Sequence, residues 1–305
     1  MKFKSIKIVF PLNPYHDSRS IIAYQIMKTL VTILVILISG GLFFSTLSCR
    51  NEPSTDPVGR PREMMKKDYI EDAFGMEMKM LWIPGGSFEM GSPTVEKNRE
   101  PDETLHSVTL DGFWIGETEV TQEQYEAVMV ENPSRYSDTP RNPVEKVSWH
   151  EAASFCEKLK EETDRNYTLP TEAQWEFACR AGKEKTWSFG DERQTADQYM
   201  WHQSNADFHP HPVAGKMPNP WGIHDIHGNV WEWCLDSYDE DFYESVEAIK
   251  RNPVNEKKTG EKVLRGGSWR NHPGFARSAS RFKNAPAVRD CSIGFRVARL
   301  PEEPY

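Results

Sequence analysis

The chain has 305 residues, 38% of them hydrophobic, which allows one large domain or two small ones around a substantial core. Ten Trp, 21 Pro and 19 Gly favour a loop-rich globule over a helical bundle. The net charge is −9, and because residues 1–49 hold five bases and a single acid, residues 50–305 carry −13; so acidic a body repels a phosphate backbone and excludes nucleic acid as a partner.

Residues 1–49 read as an address. Thr29 to Leu47 is an uncharged run of 19 residues, preceded by Met27-Lys28 and followed by Ser48-Cys49. Taken from Met27 as the probable start, it has a basic n-region, an apolar h-region and small residues before a cysteine. It resembles a bacterial lipoprotein signal, in which Cys49 is acylated and becomes the mature N-terminus, although Thr46 stands where such signals carry Leu. The alternative is an uncleaved anchor, long enough to span a bilayer. Either reading puts the body outside the cytoplasm, in the periplasm or at the cell surface. Residues 50–75 are polar and charged and suit a tether, leaving one domain over about 76–300.

Met80-Leu81-Trp82-Ile83 and Ser87-Phe88-Glu89-Met90 flank Pro84-Gly85-Gly86 and predict strand, turn, strand. Val108-Thr109-Leu110 and Phe113-Trp114-Ile115 repeat the pattern around Asp111-Gly112. Three capping boxes announce helices: Thr121 with Gln124, Ser148 with Glu151, and Thr171 with Gln174. In the second helix Ala152, Phe155, Cys156 and Leu159 form one apolar stripe; the third is expected to stop at Gly182. Beyond it the sequence predicts strands and long loops. The expected class is α+β.

Seven stretches carry a family resemblance. They are Phe88-Glu89-Met90-Gly91, Glu119-Val120-Thr121, Val147-Ser148-Trp149, the run from Leu169 to Glu176, the run from Gly228 to Trp233, the run from Arg265 to Trp269, and Gly294-Phe295-Arg296. Together and in this order they resemble the formylglycine-generating enzyme family, also called sulfatase-modifying factors. The resemblance implies an elaborated C-type-lectin-like fold with little regular secondary structure.

It also implies an activity that the chain's own residues put in question. The family's oxidase binds Cu(I) through two cysteines just after the Gly-Gly-Ser segment and converts a sulfatase cysteine to formylglycine; soft thiolates are what Cu(I) requires. Here Asn271 stands at the first thiol position, next to His272, and no Cys occupies the shortened region of the second. Copper is therefore not expected. Cys156 and Cys179 match positions that form disulfides in some relatives, but their partner positions hold Ser278 and Val297. The four cysteines after Cys49 leave buried thiols and a bridge of another pairing both open.

Two functions follow. The favoured one is an exported accessory module that binds an extended peptide, a partner protein or a glycan without copper; the alternative is a formylglycine-generating oxidase that has lost its usual ligands. Trp269, Arg270, Asn271 and Arg277 are the candidate groove residues, the arginines because a guanidinium pairs with anionic groups. For catalysis the candidates are Ser268 as hydroxyl donor, His272 as acid or base, and Trp233 as groove wall. His209 and His211, in a His-x-His, are candidate metal ligands, with an ordinary polar loop as the simpler reading. Finally, the resemblance implies structural calcium at the Asn229 and Glu232 side chains and the Gly228 and Val230 carbonyls, the hard oxygens that calcium prefers. A second family calcium site is degraded: Asn205 remains, and its completing loop is shortened.

Overall fold

A computed structural model describes residues 67–302. The signal segment, Cys49 and the tether up to residue 66 lie outside the described residues. Among the described residues, no helix is long and apolar enough to cross a membrane.

The body begins earlier than the sequence suggests. Tyr69–Ala73 (β1), assigned above to the tether, pairs antiparallel with Met76–Ile83 (β2). Its acidic residues hide the pattern, because Glu71 is itself buried, bonded by Arg165 and Tyr167 at 2.6 Å each. Gly86–Met90 (β3), His106–Leu110 (β4) and Phe113–Gly116 (β5) follow.

Both expected turns form, but neither closes a hairpin. β2 pairs with β5, and β3 pairs with β4, so each turn carries the chain from one sheet to another. The two corners pack against each other, which is why each has a glycine: a Cβ on Gly85 would sit 2.6 Å from the Leu110 carbonyl oxygen, and one on Gly112 would strike the Trp82 ring.

The three boxed helices form where expected. Gln122–Met129 (α1), Trp149–Thr163 (α2) and Glu172–Arg180 (α3) each show both reciprocal cap bonds. Ala152, Phe155, Cys156 and Leu159 face inward. α3 ends in left-handed Ala181 followed by Gly182. Tyr167–Thr168 (β6) lies between α2 and α3; a four-residue helix, Ala196–Tyr199 (α4), interrupts the later loops.

Trp231–Ser237 (β7), Lys262–Arg265 (β8), Phe282–Asn284 (β9), Ile293–Gly294 (β10) and Ala298–Arg299 (β11) complete the strands. One sheet runs β1-β2-β5-β11-β6, a second β10-β7-β8-β9, and β3-β4 forms a third. The first core joins α1 and α2 to the five-stranded sheet through Met80, Tyr125, Phe155, Leu159 and Phe295. The second lies under α3, around Trp175, Phe113, Leu110 and Val263.

Every residue of α3 is buried, four of them charged or carboxamide-bearing. Such a helix is tolerable only if each polar group is paired. Glu176 accepts from the Gly91 N–H at 2.9 Å, from Arg180 at 2.8 Å and from Arg265 at 2.6 Å. Burial opposes ionisation of Glu172, but Arg281 and Arg265 outweigh it and hold the carboxyl at about 2.

The four described cysteines are free thiols, three of them buried. Burial pushes Cys179 up to about 12 and Cys156 higher still, so both are protonated and inert as nucleophiles.

Candidate functional site

The Gly-Gly-Ser segment leaves β8 through Gly266 and Gly267, both at positive φ. The turn places the next residues in sequence into different environments. Ser268 is buried, and its hydroxyl donates to the Asn271 side-chain oxygen at 2.5 Å. Asn271, where the resemblance implies the first thiol, thus carries a committed amide. Trp269 is mostly buried and donates its indole N–H to the Cys291 carbonyl at 3.2 Å.

Arg270 is exposed. Its guanidinium lies 5.4 Å from the Trp269 ring centroid and 3.2 Å from Asp290. His272 caps a short turn, its Nδ1 accepting from the Gly274 N–H at 3.0 Å, which leaves the proton on Nε2. Burial, Arg193 and His202 lower its pKa, so it is neutral at physiological pH.

Two expected site residues belong elsewhere. Arg277 is not a groove residue: it is 1% exposed and forks onto Glu103 at 2.6 and 2.8 Å and Glu96 at 2.7 Å. The acidity of the body is what captures it. Trp233 is neither groove wall nor catalytic; it is fully buried in the first core and donates to the Val147 carbonyl at 2.9 Å.

Beside the segment stands a row of rings that the sequence did not reveal as one surface. Tyr136 meets Trp269 edge-on at 5.7 Å, His209 lies 6.3 Å from Tyr136, and His211 is 4.5 Å from His209. His211 then stacks on Trp201 at 3.8 Å. Cations flank the row: Arg135 lies 5.4 Å from the Tyr136 ring centroid and Lys216 lies 3.8 Å from that of Trp201. His209 and His211 bond backbone carbonyls of Pro210 and Ala206 at 2.8 and 3.0 Å, as members of this stack. The His-Pro-His-Pro spelling was the one visible signal of it.

The calcium segment is placed differently from the expectation. Both Glu232 oxygens are taken by Arg296, at 2.6 and 2.7 Å, and Trp175 adds a bond of 2.7 Å. The Asn229 side chain clamps His211, accepting from its N–H at 2.9 Å and donating to its carbonyl at 3.1 Å, and also donates to Glu119 at 2.7 Å. Neither side chain offers calcium a free oxygen, because each is spent inside the fold. Between them Gly228, at positive φ, brings its backbone against Trp201, and Glu119 accepts from the Val230 N–H at 3.0 Å.

The charge around them does not balance. Glu119, Asp225 and Glu232 are all buried about Arg296. Burial, then repulsion from Asp225 and Glu232, raises Glu119 well above the usual carboxylate range. Burial lifts Asp225 to about 6, Glu232 adding to the rise. Asp225 Oδ2 accepts from the Ala214 N–H at 2.6 Å, while Oδ1 has no hydrogen-bond partner. A buried carboxylate oxygen beside surplus negative charge is a hard-cation ligand in chemical character. Asp225, which the sequence reading missed, is thus the carboxylate of this cluster with an oxygen left open, where Asn229 and Glu232 have none. Among the described residues, no group of three or more His, Cys, Asp and Glu side chains is placed to hold a metal.

The sulfatase-modifying factor enzyme 1-like domain model matches residues 66–301. The chain belongs to that family. This sulfatase-modifying factor domain is 26% identical to the formylglycine-generating enzyme of Thermomonospora curvata, over 73% of this chain and 93% of that one. It is 30% identical to the serine/threonine-protein kinase Pkn1 of Chlamydia trachomatis serovar L2, over 72% of this chain and only 38% of that protein's length. Among solved structures, Treponema denticola variable protein 1 superposes with a TM-score of 0.70 at 28% identity, covering 77% of this chain and 99% of that one. The fold is the α+β, C-type-lectin-like fold of these relatives.

Proposed function

We propose that this sulfatase-modifying factor domain is a copper-independent binding module for an acidic, extended peptide segment of a partner protein. One observation carries the reading: the thiolate position holds Asn271, whose side chain is locked by Ser268, beside an aromatic row edged by Arg135, Arg270 and Lys216. Aromatic faces and guanidinium groups supply contact area and anion pairing, and neither supplies a redox centre. Incubation with copper and a Cys-containing sulfatase peptide is expected to leave the peptide's mass unchanged. An acidic peptide is expected to bind in low salt and to bind about tenfold more weakly to the double variant Arg135→Ala, Arg270→Ala. Conversion of the thiol to an aldehyde would establish the oxidase instead.

The module works outside the cytoplasm in this reading, held by a lipid on Cys49. The support is the apolar run ending at Ser48-Cys49. Cys49→Ala is expected to release the protein from the membrane fraction and to remove the acyl mass; unchanged partition would rule the anchor out.

Calcium on the open Asp225 Oδ1, with Glu119 and Glu232 adding negative charge nearby while their own oxygens stay bonded within the fold, completes the proposal as a structural ion. A metal bound only by the folded state at a hundredfold over its Kd adds about 2.7 kcal/mol. Chelation is therefore expected to lower the melting temperature of wild type and not that of Asp225→Asn. A chelator that moves neither leaves the three carboxylates balanced by protons.

A further inference from the structure

A cavity of about 1040 Å³ opens on part of the domain that the aromatic row does not touch. It runs along β6, the terminal strand of the five-stranded sheet, and is lined by Asn166, Thr168, Thr171, Leu235, Val254 and Leu300 among others. None of the residues lining it comes from the Gly267–Arg277 segment, from the ring row or from the Asp225 cluster.

Three features show what the cavity can take. First, Gln174 lines it while 5% exposed; its Oε1 is held by the Thr171 N–H at 3.0 Å, and its amide nitrogen makes no hydrogen bond among the described residues. The capping box thus fixes a nearly buried NH2 donor on the cavity wall. Second, β6 is bonded on one side only, to β11. The Leu300 N–H donates to the Asn166 carbonyl, so with antiparallel alternation Tyr167 is a non-bonded position; its N–H donates to the Arg165 carbonyl at 2.8 Å, and its carbonyl, beside the lining residues Asn166 and Thr168, is the one edge acceptor that turns away from β11. Third, Asp164, the left-handed C-cap of α2, is exposed at the rim and makes no ion pair among the described residues. The other rim acids Asp111 and Glu302 are neutralised by Arg251 and Arg299.

We propose that this cavity is a second binding site, taking an extended peptide segment that lies along β6 and sets a basic side chain against Asp164. Sheet-edge addition obtains affinity from main-chain hydrogen bonds and specificity from side-chain pockets. Here the Tyr167 carbonyl and the Gln174 amide meet the peptide backbone as acceptor and donor, and Leu235, Val254 and Leu300 receive an aliphatic side chain. No Trp, Tyr or Phe lines the cavity, so the flat stacking faces that favour a sugar are missing. The charge preference is opposite to that of the aromatic row, which makes the two sites separable.

The test pans a display library of random heptapeptides on the full-length protein and measures the enriched peptides singly. Binders carrying a Lys or Arg are expected, with affinity falling at least tenfold in Val254→Arg, which places a long cation in the cavity, and about threefold in Asp164→Asn, which keeps a residue suited to the left-handed cap. Arg270→Ala is expected to leave the affinity for these Lys- or Arg-bearing peptides unchanged while it weakens the acidic peptide at the aromatic row, so failure here and failure of the acidic-peptide reading are distinguishable. Slowed amide exchange in residues 166–174 on peptide addition gives a readout that does not depend on either variant. Peptides that bind Val254→Arg as well as wild type without slowing that exchange, or a library that yields no binder above blank support, would overturn the proposal. Protection of the same amides by a neutral oligosaccharide and by no peptide would overturn it equally, and assign a glycan.

Discussion

Replacing Arg265 with Met is expected to destabilise the domain by about 3–5 kcal/mol, the usual cost of removing one partner from a buried charge network. Arg265 is fully buried, with Nη1 2.8 Å from Glu172 and Nη2 2.6 Å from Glu176. Nη2 also donates to the Ser278 carbonyl at 2.6 Å. Methionine nearly preserves the volume of the stem, so the loss reports the charge and not a cavity. Glu176 would keep only Arg180 as a cation, in a helix with no exposed face. Urea unfolding should show a lower midpoint at unchanged slope. Adding Glu176→Gln to Arg265→Met should restore part of the loss, since it removes the stranded charge. A cost below about 1 kcal/mol would mean that the network is solvated like a surface ion pair.

Stability is expected to fall as pH rises from about 5 to 7.5. Burial, with repulsion from Glu172, lifts Asp236 to about 7, and burial lifts Asp225 to about 6. Both groups titrate near 4 in an unfolded chain. Between those values the folded state keeps protons that the unfolded state has released, so the contribution is full below about pH 4 and is lost as pH climbs towards 7. Two to three pKa units correspond to about 3–4 kcal/mol for each group as an upper figure. Glu172 acts in the opposite sense: depressed to about 2, it stabilises above its unfolded value and loses that effect as pH falls towards 2. For these three groups together the maximum therefore lies near pH 4. Asp236→Asn should flatten the neutral limb, and excess calcium should remove the Asp225 share of it. A urea midpoint that climbs between pH 5 and 7.5 in calcium-free buffer would contradict the assignment.

The sequence was most legible where the chemistry is local. A capping box is complete within four residues, so Thr121, Ser148 and Thr171 located all three main helices. The stripe through Phe155 and Leu159 followed from helical period alone. Turn residues at Gly85 and Gly112 were equally plain, but which strands they joined depended on partners in other sheets. Side-chain roles were least legible. Arg270 and Arg277 look alike in the sequence, and what separates them is Glu103, 174 residues away along the chain and directly opposite in space. Asn229 and Glu232 carry the oxygens of a calcium ligand set, yet His211 and Arg296 reach them first. Asp225 escaped notice because its distinction is an unmet hydrogen bond, which only the packed structure displays.

The five-stranded sheet has a consequence for the order in which the domain can assemble. Ala298–Arg299 is wedged between Phe113–Gly116 and Tyr167–Thr168, so strands separated by more than 180 residues must meet before the sheet is continuous. Until a ribosome or translocon has released residues 298–299, β5 and β6 are two raw edges with nothing between them. Loop closure over such separations makes folding slow and leaves those edges open to foreign strands. A nascent chain of this kind needs its late residues more urgently than its early ones, and a truncation there would cost far more than the few residues removed.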